Sequence, residues 1–179
     1  DLANKAEQPL RDSGENIVGA DDPEFQKWSE TNLYQQKQEG FVAVILSLPL
    51  GDITADQLRA LSDIAQKYTN ETIRTTVEQN ILLRWVSKAD VAAVYAELKA
   101  AELVIPGAGT IVDVTSCPGT DTCKLGISSS RGLAAQLRTR LTEKSVQMDQ
   151  AIKDLVIKVS GCFNSCSGHH VADMGFYGV

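Results

Sequence analysis

Residues 40–116 switch repeatedly between the two hydrophobic periods of protein structure, and the order of the switches leaves few folds open. Phe41-Val42-Ala43-Val44-Ile45-Leu46-Ser47-Leu48 is a near-continuous apolar run of strand length, and Pro49 ends it. Thr54-Ala55-Asp56-Gln57 fits a capping box, in which a Thr hydroxyl accepts from the third helical N–H and a Gln side chain reaches back. The helix that follows is expected to place Leu58, Leu61, Ile64 and Ala65 on one face. Ile73–Val77 and Ile81–Val86 read as two strands separated by Glu78-Gln79-Asn80. Ser87-Lys88-Ala89-Asp90 is expected to cap a second helix, with Val91, Val94, Tyr95 and Leu98 facing inward. Pro106, Gly107 and Gly109 make a turn into an expected strand over Thr110–Val114.

Strand, helix, strand, strand, helix, strand is the order of a split βαβ, ferredoxin-like layout, a mixed sheet with helices on one face. The fold class expected is therefore α+β. The half-domain is placed at residues 23–116, and residues 117–179 begin a second, α/β domain. Asp22-Pro23 can open a short helix anchored by Phe25, Trp28 and Leu33, because Pro in the first turn needs no N–H. Residues 1–22 are polar and without periodicity and read as a linker or arm. Further on, Ser130–Leu141 is a plausible helix with Leu133, Ala134, Leu137 and Leu141 on one face. Leu155–Val159 reads as a strand, and Ala172–Val179 as a strand that stops mid-pattern. That ending, with Asp1 at the start, leads us to expect a piece of a longer chain.

Composition excludes several classes. With 43% apolar and 22% charged residues the chain is neither collagenous nor a coiled coil nor globally disordered. The apolar run Phe41–Leu50 is too short to span a bilayer, and no Lys/Arg-led signal peptide opens the sequence. A cytoplasmic protein without a membrane partner is the expectation. The net charge of −6 argues against nucleic acid, whose phosphates an acidic protein repels. The charge is uneven, since Cys117–His170 holds seven Lys/Arg against four Asp/Glu. That stretch is either a solvated face or a basic pocket beside an anionic ligand.

All four cysteines of the chain lie in that stretch, in two pairs, Cys117-Pro-Gly-Thr-Asp-Thr-Cys123 and Cys162-Phe-Asn-Ser-Cys166. The residues around them belong to tight turns, where inert buried thiols are not expected. Too few cysteines and no secretory signal argue against a disulfide scaffold. Two chemistries remain open from spacing. Zinc favours pairs separated by about two to four residues, whereas the gaps here are five and three. Iron–sulfur clusters also take four thiolates and tolerate wider spacing. A zinc-stabilised, non-catalytic binding module and a haem-free iron–sulfur electron-transfer subunit both fit that ligand set.

The neighbours of the cysteines carry more. Thr115-Ser-Cys117-Pro-Gly-Thr-Asp-Thr-Cys123-Lys-Leu-Gly126 and Ser160-Gly-Cys162-Phe-Asn-Ser-Cys166-Ser-Gly-His-His170 resemble the paired signature of the sulfite and nitrite reductases that carry sirohaem coupled to a 4Fe-4S cluster. Gly40–Thr54 and Ile73–Asn80 resemble the half-domain that precedes the cysteines in that family. The likeness covers roughly residues 23–179 and points to the carboxy-terminal half of such an enzyme. Phe163 departs from it, standing where many relatives have Pro, and leaves φ less restricted at that point.

The resemblance implies an oxidoreductase that reduces sulfite to sulfide or nitrite to ammonia by six electrons, supplied by ferredoxin or a flavoprotein. It implies that Cys117, Cys123, Cys162 and Cys166 hold the cluster and that Cys166 also bridges to the sirohaem iron. Asn164, with Gly161 and Ser165, is expected to donate to cluster sulfurs, and Lys124 and Arg131 to pair with sirohaem carboxylates. Arg74 and Arg84 are candidates for cofactor contact, and His169 and His170 for either a metal or a structural hydrogen bond. The basic residues that bind the substrate anion are expected in the other half of the enzyme, so this piece alone is expected to be inactive.

Overall fold

A computed structural model of the protein describes residues 9–179. The chain divides into two units. One runs up to Leu48 and resumes over Ile53–Pro106; the other comprises Pro49–Asp52 and Gly107–Val179.

The first unit is built on an antiparallel sheet. Helix α1 (Pro23–Asn32) begins at Asp22, whose carboxylate accepts from Glu24 N–H at 3.0 Å, with Pro23 in its first turn. It leads directly into β1 (Leu33–Gln35), followed by β2 (Phe41–Leu46), α2 (Ala55–Tyr68), β3 (Arg74–Thr75), β4 (Ile81–Ser87) and α3 (Val91–Ala100). The strand order is β1-β2-β4-β3, and every neighbouring pair is antiparallel. The capping box of α2 forms as expected: Gln57 N–H donates to Thr54 Oγ1 at 3.2 Å, and Thr54 N–H donates to Gln57 Oε1 at 3.0 Å. No such bond forms at Ser87; a single 3₁₀ turn over Lys88–Asp90 starts α3 instead.

The core of this unit is made of large side chains. Trp28, Leu46, Leu61, Leu83, Val86, Val94 and Leu98 are fully buried, each worth about 1.5–3 kcal/mol if aliphatic. Phe25 and Trp28 pack on Tyr95 with ring centroids 5.1 and 5.0 Å away. Tyr95 donates its hydroxyl to the same Asp22 that caps α1 (3.1 Å), and Lys99 donates to that carboxylate at 2.5 Å. Leu58, expected inside, is exposed. Asn32 is fully buried and donates to the carbonyls of Ile45 and Ile105 at 2.8 and 2.9 Å, tying the end of α1 to β2 and to the segment after α3.

Further sequence expectations change here. Thr110–Val114 is not a strand: Thr110 and Asp113 N–H groups donate to the carbonyls of Gly107 and Thr110, and Asp113 accepts from Gly109 N–H at 2.9 Å, holding a turn. The edge of the sheet beside β2 is filled from the other side of the sequence, by β1. The arm expected over residues 1–22 falls partly outside the described residues. From Arg11 onward it is fastened, by a two-point Arg11–Asp90 pair (3.0 and 3.2 Å) and by Gly14 and Val18 N–H groups donating to Gly40 and Lys88 carbonyls.

The second unit is a parallel sheet of β5 (Thr115–Ser116), β6 (Ile157–Ser160) and β7 (Met174–Tyr177), with β6 central. Helix α4 (Ser130–Lys144) crosses from β5, and the short α5 (Gln150–Lys153) precedes β6. Ile111, Val112, Val114, Ala134, Ile157 and Val159 form its core, with Leu50, Leu137 and Leu141 packed on it. Leu133, expected to face inward, is exposed. Arg138 is largely buried, donates to the Val112 carbonyl at 3.2 Å and lies 3.9 Å from Asp113.

Candidate metal centre

Both cysteine pairs start where a strand of the parallel sheet ends. Ser116 and Val159 are register partners in β5 and β6, and Cys117 N–H donates to the Val159 carbonyl at 3.1 Å. Cys117 therefore leaves the carboxyl end of one strand and Cys162 the carboxyl end of its neighbour, two residues past β6. Ligand loops at the carboxyl ends of adjacent parallel strands are a common placement in α/β sheets.

Backbone approach locks the two loops together. A Cβ on Gly161 would lie 2.6 Å from Gly119 Cα and 3.0 Å from the Ser128 carbonyl oxygen, so only glycine fits where the loops cross. Gly119 sits at φ +53°, in the left-handed region. Ile127 and Ser128 N–H groups both donate to the Gly161 carbonyl, at 2.8 and 3.0 Å, and Thr120 N–H donates to the Ser128 carbonyl at 3.3 Å.

The thiols differ in setting. Cys117 and Cys162 are buried, Cys123 and Cys166 are exposed, and all four are free. Gly161 N–H donates to Cys117 Sγ at 3.1 Å, and the Ser130 hydroxyl lies 3.4 Å from the same sulfur while donating to the Cys117 carbonyl at 2.8 Å. Burial pushes the Cys117 thiol up, but the Ser130 hydroxyl and the Gly161 and Gly119 N–H groups together pull it below the ordinary thiol range. Among the described residues no three His, Cys, Asp or Glu side chains are gathered closely enough to hold a metal ion. The structure joins the two loops but does not bring the four thiols to one point. In donor chemistry the set fits an iron–sulfur cluster: reduced thiols on two loops, one sulfur already receiving an N–H donor of the kind that stabilises a thiolate.

The other expected site residues fall in different places. Asn164 and Lys124 are exposed, as is Phe163. Arg131 is engaged by the chain itself: it donates to the Leu50 carbonyl (2.9 Å) and to Asp52 (2.5 Å), and its Nε lies 3.2 Å from Asp121. It braces the Pro49–Asp52 segment against the first cysteine loop. Ser129 caps α4, accepting from Gly132 N–H at 3.3 Å, while Ser130 turns inward to Cys117. Arg74 and Arg84 lie in the antiparallel sheet of the first unit.

Sequence reasoning left His169 between two roles. It is buried, with Nδ1 2.8 Å from Ser160 Oγ, and Ser160 Oγ is 2.6 Å from Ser167 Oγ. Its ring stacks on Tyr177 of β7 at 4.9 Å and 13°. Burial, and secondarily His170, holds the imidazole below its ordinary pKa. This is a structural hydrogen-bonder. No local sequence signal reveals it, because its partners lie on β6 and β7.

Residues 34–101 match the nitrite/sulfite reductase ferredoxin-like half domain. The chain is 28% identical over 169 residues to a chloroplastic ferredoxin–nitrite reductase of Spinacia oleracea, covering 94% of this chain and 27% of that one. It is 30% identical over 148 residues to sulfite reductase [ferredoxin] 2 of Mycolicibacterium paratuberculosis, covering 80% and 26%. The solved NirA protein of Mycobacterium tuberculosis shares the fold, with a TM-score of 0.64 at 24% identity over 81% of this chain and 27% of that one. The chain thus spans about a quarter of the length of these relatives. The half-domain match, the sequence likeness through the cysteine loops and the shared fold agree in relating this chain to the nitrite and sulfite reductases.

Proposed function

We propose that this chain is the cofactor-binding part of an enzyme that reduces nitrite to ammonia or sulfite to sulfide. The observation that carries the reading is the meeting of the two cysteine loops at the ends of β5 and β6, with Gly161 N–H donating to Cys117 Sγ. In this reading Cys117, Cys123, Cys162 and Cys166 are the thiolate ligands of a 4Fe-4S cluster, and Cys166 also ligates sirohaem. The bound cofactors supply the low-potential electrons and the iron on which the anion is reduced.

The chain's own residues have narrower tasks. Gly161 N–H donates to the Cys117 sulfur, which is how hydrogen bonds to ligand sulfurs tune a cluster, and the Ser130 hydroxyl, donating to the Cys117 carbonyl, holds that residue's backbone. Gly119 and Gly161 let the loops approach, and Arg131 fixes the first loop through Asp121. Asn164 and Lys124, both exposed, are free to face a cofactor: Asn164 as a donor to cluster sulfur and Lys124 as a counter-charge to sirohaem carboxylates. Arg131, already paired with Asp52 and Asp121, joins Lys124 only by exchanging partners. The donor in this reading is ferredoxin, as the names of several relatives have it, or a flavoprotein.

The test is reconstitution of the chain with iron and sulfide, then of the complete reading frame with sirohaem. Four irons per chain are expected, lost in Cys162→Ser. Turnover of both anions is then assayed with a viologen donor. The complete protein is expected to turn over one of them and the isolated chain neither. A colourless protein retaining one zinc would replace the reading with a zinc-stabilised module, and activity toward neither anion in the complete protein would overturn it.

A further inference from the structure

Among the described residues the second cysteine loop has less backbone bracing than the first. Cys117 is held by Gly161 N–H and by Ser130, and its loop is sewn to Gly161 and Ser128 through main-chain bonds. Residues 162–167 contribute few such bonds; Gly168 N–H donates to the Ser165 carbonyl at 2.8 Å, closing a turn in which Ser165 sits at φ +57°. What spans this loop is a chain of side chains. Ser160 precedes Cys162, Ser167 follows Cys166, and their hydroxyl oxygens are 2.6 Å apart, so the two ends of the loop are pinned to each other. His169 Nδ1 is 2.8 Å from Ser160 Oγ, and the imidazole is clamped on Tyr177.

The direction of this relay follows from the far side of the ring. His169 Nε2 is buried and has no hydrogen-bond partner among the described residues. An orphaned buried N–H is rarer and costlier than an orphaned lone pair. The proton therefore belongs on Nδ1. Nδ1–H then donates to Ser160, Ser160 donates to Ser167, and the Ser167 hydroxyl hydrogen is the one left unspent within the relay, one residue after Cys166.

We propose that His169 is the positioning residue of the second cysteine loop: as the Nδ1–H tautomer it orients Ser160 and, through it, Ser167, and so fixes both ends of the Cys162–Cys166 turn. Its relevance to cofactor ligation rests on the function proposed above; the positioning itself does not.

The experiment uses the whole chain. His169→Phe keeps a ring on Tyr177 but removes the donor, His169→Asn restores an N–H near the Nδ1 position, and Ser160→Ala cuts the relay with the imidazole intact. Hydrogen exchange of the Gly168 and Val171 amides is followed, with the Ile157–Val159 strand amides as internal controls. At least a tenfold acceleration at Gly168 and Val171 is expected in His169→Phe and Ser160→Ala, with unchanged strand amides and near-normal exchange in His169→Asn. Unchanged loop exchange in His169→Phe, equal acceleration in His169→Asn, or equal acceleration of the strand would overturn the proposal. The ¹⁵N spectrum of His169 is expected to report the Nδ1–H form, and an Nε2–H form would overturn the relay's direction. Iron retained after reconstitution is read in parallel. A wild-type chain that takes up no iron yet shows this exchange pattern refutes the cluster and leaves the positioning role standing.

Discussion

Each unit of this chain has an apolar core, and the two differ in what is added to it. The first fills its interior with bulky side chains, among them Trp28, Leu61 and Tyr95, so its packing is set by volume. The second is stitched where backbones touch, at Gly119 and Gly161, and by polar side chains such as Ser130 and Ser160. Volume-packed regions tolerate small polar changes but not cavities. Backbone-packed regions respond in the other sense, since adding a single methyl group is the injury. The difference suits a unit whose two cysteine loops cross, because glycine contacts fix the path of the main chain without adding side-chain bulk between them.

The comparison breaks or sharpens in order of expected effect. Leu61→Ala should cost about 2–5 kcal/mol, read as a lower urea midpoint with unchanged m-value; a loss under about 1 kcal/mol would mean the site collapses and the volume argument fails. Gly161→Ala should cost about 1–3 kcal/mol as an overpacking defect. It should accelerate amide exchange in β5 and β6 while leaving β2 protected, and equal acceleration in β2 would erase the distinction between the units. Thr54→Ala removes one half of the capping box and should cost about 1 kcal/mol, with fraying confined to the first turn of α2 by exchange.

The smallest effect concerns pH. Lys99, then the Glu24 N–H, holds the Asp22 carboxyl below its ordinary 3.8. Between the folded and ordinary values the unfolded chain binds more protons, so this contribution is complete above about pH 4 and is lost as pH falls through the folded value. Acid titration of Asp22→Asn against wild type should show a flatter fall of stability below pH 4. Parallel curves would remove Asp22 from the clamp that joins α1 to Tyr95 and Lys99.

What the sequence made legible was local. The capping box at Thr54 and Gln57 and the Pro23 start of α1 are each decided by residues within a turn of one another, and they form as read. The apolar residues Ile111, Val112 and Val114 were read as a strand because alternating hydrophobicity cannot tell a buried strand from a buried turn; Asp113 bonding to Gly109 made it a turn. The three-residue β1 carries no periodicity at all and is a strand only because β2 offers it an edge. At the site, the cysteines announced themselves by pairing and by their neighbours. The engagement of Arg131 with Asp52 and the role of His169 depend on residues brought together by the fold, and no spacing rule contains them.

The Pro49–Asp52 segment has a consequence in time. Leu50 offers its carbonyl to Arg131, 81 residues further along the chain. At a synthesis rate of roughly 5–20 residues per second, that partner emerges about 4–16 s later. Until then a turn at the end of a completed β2 stays unsatisfied, exposing Leu50 to whatever binds nascent apolar segments. The first unit can close around its core early, but the ribosome must deliver α4 before this short stretch has anywhere to go.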